Sequence, residues 1–337
     1  MIISEKIKQS IKKFNLDLNN RHVLTEAAMG NYVVTPVIAA FAGANVTAFT
    51  RDSSYGSVQD VIQQTMALAE AMNVSHKLKI VTSLSELDLG IFDIVTNTGF
   101  LRPLNYDLIS QLSSHCVIPL MYEPWEFREG EIDLDACRAK GIKVYGTNEA
   151  DSRLRTMEYI GYIAIFFLLE RKLTPFSAKV LVLGCEQFVQ PVVETLERNK
   201  YNYQAVTSYD NPVNLDQFNA IVIAEYNDSR LLVGSENMAF ISIKDIRPDA
   251  FLIHIAGNVD LNAASFAYTP ENPRPFRFMS YTTDFIDPQA VIDLHAAGLK
   301  VAEGMLAATE LNLSGRQYKE YMENKHPAMA FENKEYW

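Results

Sequence analysis

The chain has 337 residues, which exceeds one ordinary compact core and fits two domains of about 150 residues each. Hydrophobic residues make up 48% of the sequence and charged residues 21%, which is typical of a globular protein. The net charge of -11, with lysine and arginine scattered along the chain, argues against nucleic acid as a partner, because neutralising phosphates needs a basic face. The most apolar run, Tyr159 to Leu169, has about half the length that spans a bilayer and predicts a buried helix.

The amino-terminal segment and the cysteines bear on where the protein works. Charges interrupt the apolar spacing of MIISEKIKQSIKKF, which predicts a surface amphipathic helix and not a signal peptide. Cys116, Cys137 and Cys185 have neither paired nor metal-like spacing, which favours core thiols in a reducing compartment. We therefore expect a cytoplasmic protein that binds neither a membrane nor a metal ion.

Strands alternate with helical stretches through the first half of the chain, which predicts a parallel sheet built from βαβ units. The predicted strands are RHVLTEAA, NVTAFTRD, KLKIVTS, FDIVTNTG, CVIPLMYEP and IKVYGTN. The segment NYVVTPVIAAFAGA is a predicted helix, and SVQDVIQQTMALAEAMNV has its apolar residues at helical spacing. These elements account for a first α/β domain through about residue 150.

The second half repeats this pattern after the apolar helix from Met157 to Glu170. The strand AKVLVLG ends at Gly184 and a helix around QPVVETLERN follows it, which predicts the first turn of a second Rossmann-like unit. Further predicted strands are YNYQAVTSYD, FNAIVIAEY and AFLIHIAGNVD. A last helix, DPQAVIDLHAAGLKVAEGMLAATEL, leads to a polar, aromatic tail.

Five segments in a fixed order carry a resemblance to a known family. They are IDLDACRAKGIKVYGTNEAD, MEYIGYIAIFFLLER, AKVLVLGCEQFV, AVTSYD and IKDIRPDAFLIHIAGNVD. In this order they resemble five parts of the D-2-hydroxyacid dehydrogenase superfamily, the formate and glycerate dehydrogenase group. These parts are the segment that closes the first domain, the interdomain helix, the cofactor fingerprint, the second strand, and the strand that normally ends in an Ala-Arg-Gly signature. The segment GNYVVTPVIAAFAGANVTAFTRD is similar, more weakly, to S-adenosylhomocysteine hydrolases.

The resemblance implies an α/β protein of two Rossmann-like domains, each a doubly wound parallel sheet, with a ligand cleft between them. Residues 1–150 plus 283–337 would form a flavodoxin-like substrate domain, and residues 151–282 the nucleotide-binding Rossmann domain. It also implies NAD or NADP as cofactor, a small-molecule substrate and a homodimer.

The cofactor turn departs from the family fingerprint. Of the three glycines that shape the turn, admit the pyrophosphate and let the helix pack, only Gly184 is present, because Glu186 and Val189 occupy the other two positions. Asp210 lies where an acid binds the adenine ribose and favours NAD over NADP, although SYDNP is also typical of a plain turn. The predicted cofactor-binding residues are Gly184, Glu186, Gln187, Phe188, Asp210, Gly257 and Asn258.

The catalytic arginine and histidine of the family are not recognisable. Gly257 or Asn258 stands where the arginine is expected, and MSYTTDFID contains no histidine. Polar residues in loops after the first-domain strands are the alternative, since such loops meet at one edge of a parallel sheet. The predicted substrate-binding residues are Asn31, Tyr32, Arg51, Asn97 and Thr98, and the candidate acids or bases are Glu26, Tyr55, Glu123 and His254.

Three functions remain open from the sequence. The first is an NAD(P)-dependent oxidoreductase that acts on a small polar substrate. The second is a non-catalytic ligand-binding or scaffold protein that kept the dehydrogenase fold. The third is a hydrolase or lyase that uses an internally bound NAD. The direction in which Glu186 points separates these possibilities, because a carboxylate aimed at a diphosphate repels it.

Overall fold

The computed structural model describes residues 3–235 and 238–331, and the chain divides into two compact units. The first unit comprises Met1–Arg155 together with Pro288–Trp337, and the second comprises Thr156–Asp287. Within these described ranges, no helix combines the length and apolar character needed to cross a membrane.

The strands and helices follow each other in the α/β order expected from the sequence. The strands are β1 (His22–Glu26), β2 (Asn45–Phe49), β3 (Leu78–Val81), β4 (Ile94–Val95), β5 (Val117–Pro119), β6 (Lys143–Thr147), β7 (Lys179–Gly184), β8 (Asn202–Val206), β9 (Ala220–Ala224), β10 (Leu231–Gly234), β11 (Ile241–Ser242), β12 (Phe251–Ala256), β13 (Asn258–Val259), β14 (Ala267–Thr269) and β15 (Ala328–Met329). The α-helices are α1 (Ile3–Phe14), α2 (Val34–Phe41), α3 (Val58–Ala71), α4 (Tyr106–Ile109), α5 (Leu134–Lys140), α6 (Glu158–Glu170), α7 (Glu186–Arg198), α8 (Gln289–Glu310) and α9 (Gly315–Lys325).

The sheet of the first unit has the strand order β15-β6-β5-β4-β1-β2-β3. Strands β1 to β6 are parallel, and β15 pairs antiparallel with β6. In chain order this is the 3-2-1-4-5-6 arrangement of a Rossmann sheet with one added edge strand. The expectation of a flavodoxin-like order for this unit is therefore wrong, since that order is 2-1-3-4-5.

Helix α8 is the main packing element of the first unit. It contacts α1, α2, β5 and β6, and most of its residues are buried. Its glycines allow this close approach, because a Cβ at Gly298 would lie 2.6 Å from the sulfur of Met121. A helix that is apolar nearly all round is one buried among other elements.

The main sheet of the second unit has the order β14-β12-β9-β7-β8, and all its pairs are parallel. When the five strands of this sheet are numbered by their order in the chain, the arrangement is 2-1-3-4-5, which is the flavodoxin-like version of a doubly wound sheet. A smaller sheet of β11, β10 and β13 lies in the same unit. Strand β8 ends at Val206, so Asp210 lies four residues beyond the strand and not at its end as predicted.

Gly184 ends β7 at a point where only a glycine fits. Its φ is +158°, and a Cβ there would lie 1.9 Å from the carbonyl oxygen of Ala224 at the end of β9. The neighbouring helices are also in close contact, because a Cβ at Gly161 of α6 would lie 2.1 Å from Oγ1 of Thr195 in α7. The turn at Gly184 thus joins a tightly packed strand pair to a tightly packed helix pair.

Candidate functional site

The strand order of each unit indicates where a ligand would bind. Ligands of doubly wound sheets bind outside the carboxyl ends of the strands, where the strand order reverses. This switch point lies between β1 and β4 in the first unit and between β7 and β9 in the second. Both switch points carry polar side chains in this protein.

A group of residues that we call the Glu26 cluster lies at the first switch point: Glu26, Arg51, Asn97, Phe100 and Arg102. Glu26 is the last residue of β1 and is 6% exposed, and its Oε2 accepts a hydrogen bond of 2.7 Å from the backbone N–H of Phe100. Burial raises the pKa of Glu26 above its ordinary value, whereas the Phe100 N–H and the charges of both arginines oppose this shift. A carboxyl group with a raised pKa is suited to proton transfer.

The two arginines of the Glu26 cluster differ in how firmly they are held. Arg102 donates from Nε to Oδ1 of Asn97 at 2.8 Å and from Nη1 to Oε1 of Glu131 at 3.1 Å. Tyr122 completes this network, since its hydroxyl accepts from Nδ2 of Asn97 at 2.7 Å and donates to Glu131. The guanidinium of Arg51 is more exposed and lies 5.4 Å from the centre of the Phe100 ring. Arg51 is therefore the cation of this cluster that is best placed to meet an anionic group.

Several other predicted residues of the first unit lie in the turns and loops that follow its strands. The Tyr55 side chain is 76% exposed in a turn between Ser53 and Gly56. Asn31 and Tyr32 lie in a 3₁₀ turn, where the Tyr32 ring is 5.8 Å from the ring of His295. Thr98 follows Asn97 in the chain, and its hydroxyl is 3.0 Å from that of Thr96.

Glu123 is held by its own loop. Its Oε1 accepts from the backbone N–H of Glu149 at 2.9 Å, and its Oε2 accepts from Nε1 of Trp125 at 2.6 Å. Burial, followed by the nearby charge of Glu123, raises the pKa of Glu126 to about 7. A carboxyl group that titrates near neutral pH is suited to proton transfer, so Glu126 is a further candidate proton carrier in this loop.

The second switch point opens into what we call the Asp210 pocket. This pocket has a volume of about 460 Å³ and is lined by residues from the segments 185–187, 207–210 and 225–230. The three segments follow β7, β8 and β9, so the pocket lies at the carboxyl ends of neighbouring parallel strands. It brings together Glu186, Gln187 and Asp210 of the predicted cofactor site.

The far wall of the Asp210 pocket is organised by Glu225, which follows β9 and is 2% exposed. Its Oε2 accepts from the Tyr209 hydroxyl at 2.6 Å, and its Oε1 accepts from the backbone N–H groups of Asn227 and Asp228 at 2.7 and 2.9 Å. The guanidinium of Arg230 lies 5.1 Å from the centre of the Tyr209 ring and 3.6 Å from Oδ2 of Asp228. Burial and the bond to Glu225 raise the pKa of Tyr209, which keeps its hydroxyl protonated.

The pocket fits one part of a dinucleotide and not another. The Asp210 carboxylate is exposed and accepts from the Ser208 hydroxyl at 2.5 Å, which leaves it able to accept from a ribose diol. Helix α7 begins at Glu186, whose exposed carboxylate lines the same pocket. A carboxylate at the first helical residue opposes a diphosphate at the position that the fold would use for it. The residues present therefore suit an adenosine ribose and do not suit a diphosphate.

Three other predicted cofactor residues have structural contacts or a structural backbone conformation within the second unit. The Phe188 side chain is 4% exposed and stacks on Tyr226 with ring centres 5.2 Å apart, so it belongs to the core and not to the pocket. Gly257 has a φ of +131°, and a Cβ there would lie 3.0 Å from the Ile223 side chain. Asn258 donates to the carbonyl of Ser229 at 2.9 Å. The cofactor role of Phe188 stays a prediction, and its side chain is buried in the core.

His254 has a structural position in β12. It is fully buried, its Nε2 donates to the Gly257 carbonyl at 3.0 Å, and its Nδ1 is 2.7 Å from the hydroxyl of Ser280. Burial lowers the pKa of His254, which favours the neutral ring. A proton carrier needs a nitrogen that reaches the substrate, so these contacts argue against the predicted acid-base role.

The sequence analysis missed several residues of both sites. Glu225 directly follows a strand of five buried residues, and a similar buried run, which ends at Glu26 itself, marked the end of β1. Tyr209 precedes Asp210, but nothing in its local sequence predicts that its hydroxyl meets Glu225 sixteen residues later. Arg102 and Arg230 belong to polar loops and carry no sequence signal of their own.

The fold and the two switch-point sites define a two-unit, doubly wound α/β protein. Comparison with solved structures supports this class. A dipicolinate synthase chain from Bacillus halodurans aligns with a TM-score of 0.52 at 10% identity, covering 89% of this chain and 100% of that one. D-lactate dehydrogenase with NAD+ from Lactobacillus jensenii aligns with a TM-score of 0.51 at 12% identity, covering 86% of this chain and 97% of that one.

These likenesses confirm the predicted resemblance to D-2-hydroxyacid dehydrogenases at the level of the fold. No protein-family model and no curated protein sequence matches the chain. The activity therefore has to be argued from the sites themselves.

Proposed function

We propose that this protein binds an adenosine ligand, NAD or a relative of NAD, in the Asp210 pocket, and that the Glu26 cluster receives a small polar substrate. The protein would then act as an oxidoreductase of the dehydrogenase class. The observation that carries the proposal is the placement of Asp210 in a pocket at the switch point of the second sheet.

The position of Asp210 favours NAD over NADP. A carboxylate that accepts from the adenosine ribose repels a phosphate on the 2′ oxygen, whereas it accepts readily from the free 2′ hydroxyl. The residues at the start of α7 do not suit the diphosphate of NAD, so we derive no reaction step through the cofactor.

The substrate side of the proposal depends on Glu26 and Arg51. Glu26 is a buried carboxyl group with a raised pKa, and the Arg51 guanidinium is accessible in the same cluster. Arg51 would bind an anionic or carbonyl oxygen, and Glu26 would give or take a proton. Arg102 would keep the cluster in place through Asn97 and Glu131.

Thermal stabilisation tests the nucleotide part of the proposal. A ligand at a hundred times its dissociation constant adds about 2.7 kcal/mol of stability. We expect NAD and adenosine to stabilise the protein, and NADP to do so less. Asp210→Asn should remove the preference for NAD over NADP, while Asp216→Asn, a change of the same kind outside the pocket, should keep it. The absence of stabilisation by every adenosine compound would overturn the proposal.

A second candidate is a ligand-binding or scaffold protein without catalysis. It is favoured by the commitment of His254 to two internal contacts and by the absence of a cation at Gly257 and Asn258. Oxidation of NADH with a panel of small 2-oxo acids distinguishes the two candidates. Turnover that is lost in Glu26→Gln and kept in the surface variant Glu194→Gln would exclude the non-catalytic alternative.

A further inference from the structure

We propose that the Asp210 pocket selects adenosine ligands whose 5′ substituent is uncharged or positively charged, and discriminates against a phosphate or diphosphate there. This inference rests on the proposed binding of adenosine in that pocket. The dehydrogenase fold does not decide the chemical class of the 5′ substituent, whereas the charges that line the pocket do.

The lining of the Asp210 pocket is strongly acidic. Four carboxylate side chains and one guanidinium contribute to it, which is a formal charge of -3: Glu186, Asp210, Glu225, Asp228 and Arg230. Only one acid is needed to bind a ribose. The excess of negative charge therefore acts on whatever group the ligand carries next to its ribose.

The single cation of this lining is already engaged. Arg230 lies over the Tyr209 ring and pairs with Asp228, so part of its charge is compensated within the wall. The Tyr209 hydroxyl is turned toward Glu225 and held there at 2.6 Å. A phosphate entering the pocket would have to compete with Asp228 for the guanidinium and would find the tyrosine hydroxyl occupied.

The start of α7 opposes a phosphate as well. In this fold a diphosphate gains from the N–H groups and the positive end of the helix that follows the first strand. Helix α7 places the Glu186 carboxylate at its first residue, on the lining of the pocket. That carboxylate compensates the helix terminus itself and repels a second anion.

An ammonium or sulfonium group at the 5′ position of the ligand would be attracted by the acidic lining and not repelled by it. It would gain from the same carboxylates that repel a phosphate, while the ribose diol still meets Asp210. Salt screens exposed charges, so it should weaken the binding of a cationic ligand and ease the penalty on an anionic one. Binding of uncharged adenosine should depend little on salt.

Calorimetric titration of the full chain with four probes tests the proposal: adenosine, 5′-amino-5′-deoxyadenosine, AMP and NAD. We expect AMP to bind at least about tenfold more weakly than adenosine, which corresponds to about 1.4 kcal/mol. The 5′-amino compound should bind more tightly than adenosine, and added salt should narrow both differences.

Two variants of α7 locate the effect. Glu186→Gln should reduce the difference between AMP and adenosine severalfold, because it removes a carboxylate from the first residue of α7 and from the lining of the pocket. Glu194→Gln removes the same charge from the same helix at an exposed residue that pairs with Gln190, and it should leave the difference unchanged.

The outcomes separate this inference from the proposed function. If NAD or AMP binds as tightly as adenosine, or more tightly, charge selection is wrong while adenosine binding stands. If Glu194→Gln changes the ratio as much as Glu186→Gln, the effect does not arise in the pocket and the inference fails. If none of the four probes binds, the proposed function fails and this inference fails with it.

Discussion

Replacing Gly184 by alanine should destabilise the second unit through a backbone collision. A Cβ at this position would lie 1.9 Å from the carbonyl oxygen of Ala224 and 2.3 Å from its carbon, and a distance below 3.0 Å is essentially never tolerated. The end of β9 would have to move by more than about 1 Å, because no side chain can rotate away to relieve the contact. We expect a loss of about 3 kcal/mol, the upper part of the range for overpacked sites.

Urea unfolding followed by far-ultraviolet circular dichroism measures this loss. Gly234→Ala is the matched control in the same unit, since its Cβ would meet side chains and no backbone atom, with Cδ2 of Leu231 nearest at 2.8 Å. We expect the control to cost less than about 1 kcal/mol. Because Glu225 follows Ala224 directly, Gly184→Ala should also weaken adenosine binding. Equal losses in the two variants would refute the argument that the strands β7 and β9 demand a glycine here.

Three further predictions follow from buried groups. Burial lowers the pKa of His295 from 6.5 to about 4, so the unfolded chain binds more protons than the folded protein between these pH values. The free energy of unfolding should therefore fall by about 3 kcal/mol as the pH falls through that window. The unfolding midpoint of His295→Gln should depend less on pH over the same range. Burial raises the pKa of Glu26 above 4.5, so stability should decline as the pH rises from that value, and Glu26→Gln should abolish this decline in the same assay. Gly161→Ala should lower the free energy of unfolding by about 1–3 kcal/mol, because the new Cβ would lie 2.1 Å from Oγ1 of Thr195. An unchanged midpoint of urea unfolding would contradict the close packing of α6 on α7.

The sequence was informative about the fold because its signals are local. Buried apolar runs such as Lys179–Gly184 and helical spacing such as that of Val58–Ala71 are visible in a single segment. The short strands β10, β11 and β14 were not predicted, since two to four residues carry too little pattern to stand out from a loop. The strand order of the first unit also differs from the flavodoxin-like order expected for it, because the sequence of a strand does not state which neighbours it pairs with.

The candidate site was predictable only in part. Glu26 and Asn97 were expected at the same edge, in loops after parallel strands; in the structure Glu26 is the last residue of β1 and Asn97 follows β4. The hydrogen bonds of Arg102 to Asn97 and Glu131, and the effect of its charge on Glu26, are tertiary features that no spacing rule predicts. The two contacts of His254 could not be predicted for a related reason, since a histidine on a buried strand looks the same in sequence whether or not its nitrogens are satisfied.

The sequence by itself determined that this is an α/β chain with a glycine turn at Gly184 and an acid near the second strand of its second unit. Only the tertiary structure decided that Glu186 shares a pocket with Asp210 and Glu225, which lie 24 and 39 positions further along the chain. Periodicity and turn chemistry act over a few residues and are written in the local sequence. The charge of a pocket depends on which strand ends the sheet brings together, and this pairing is decided by the packing of the whole unit.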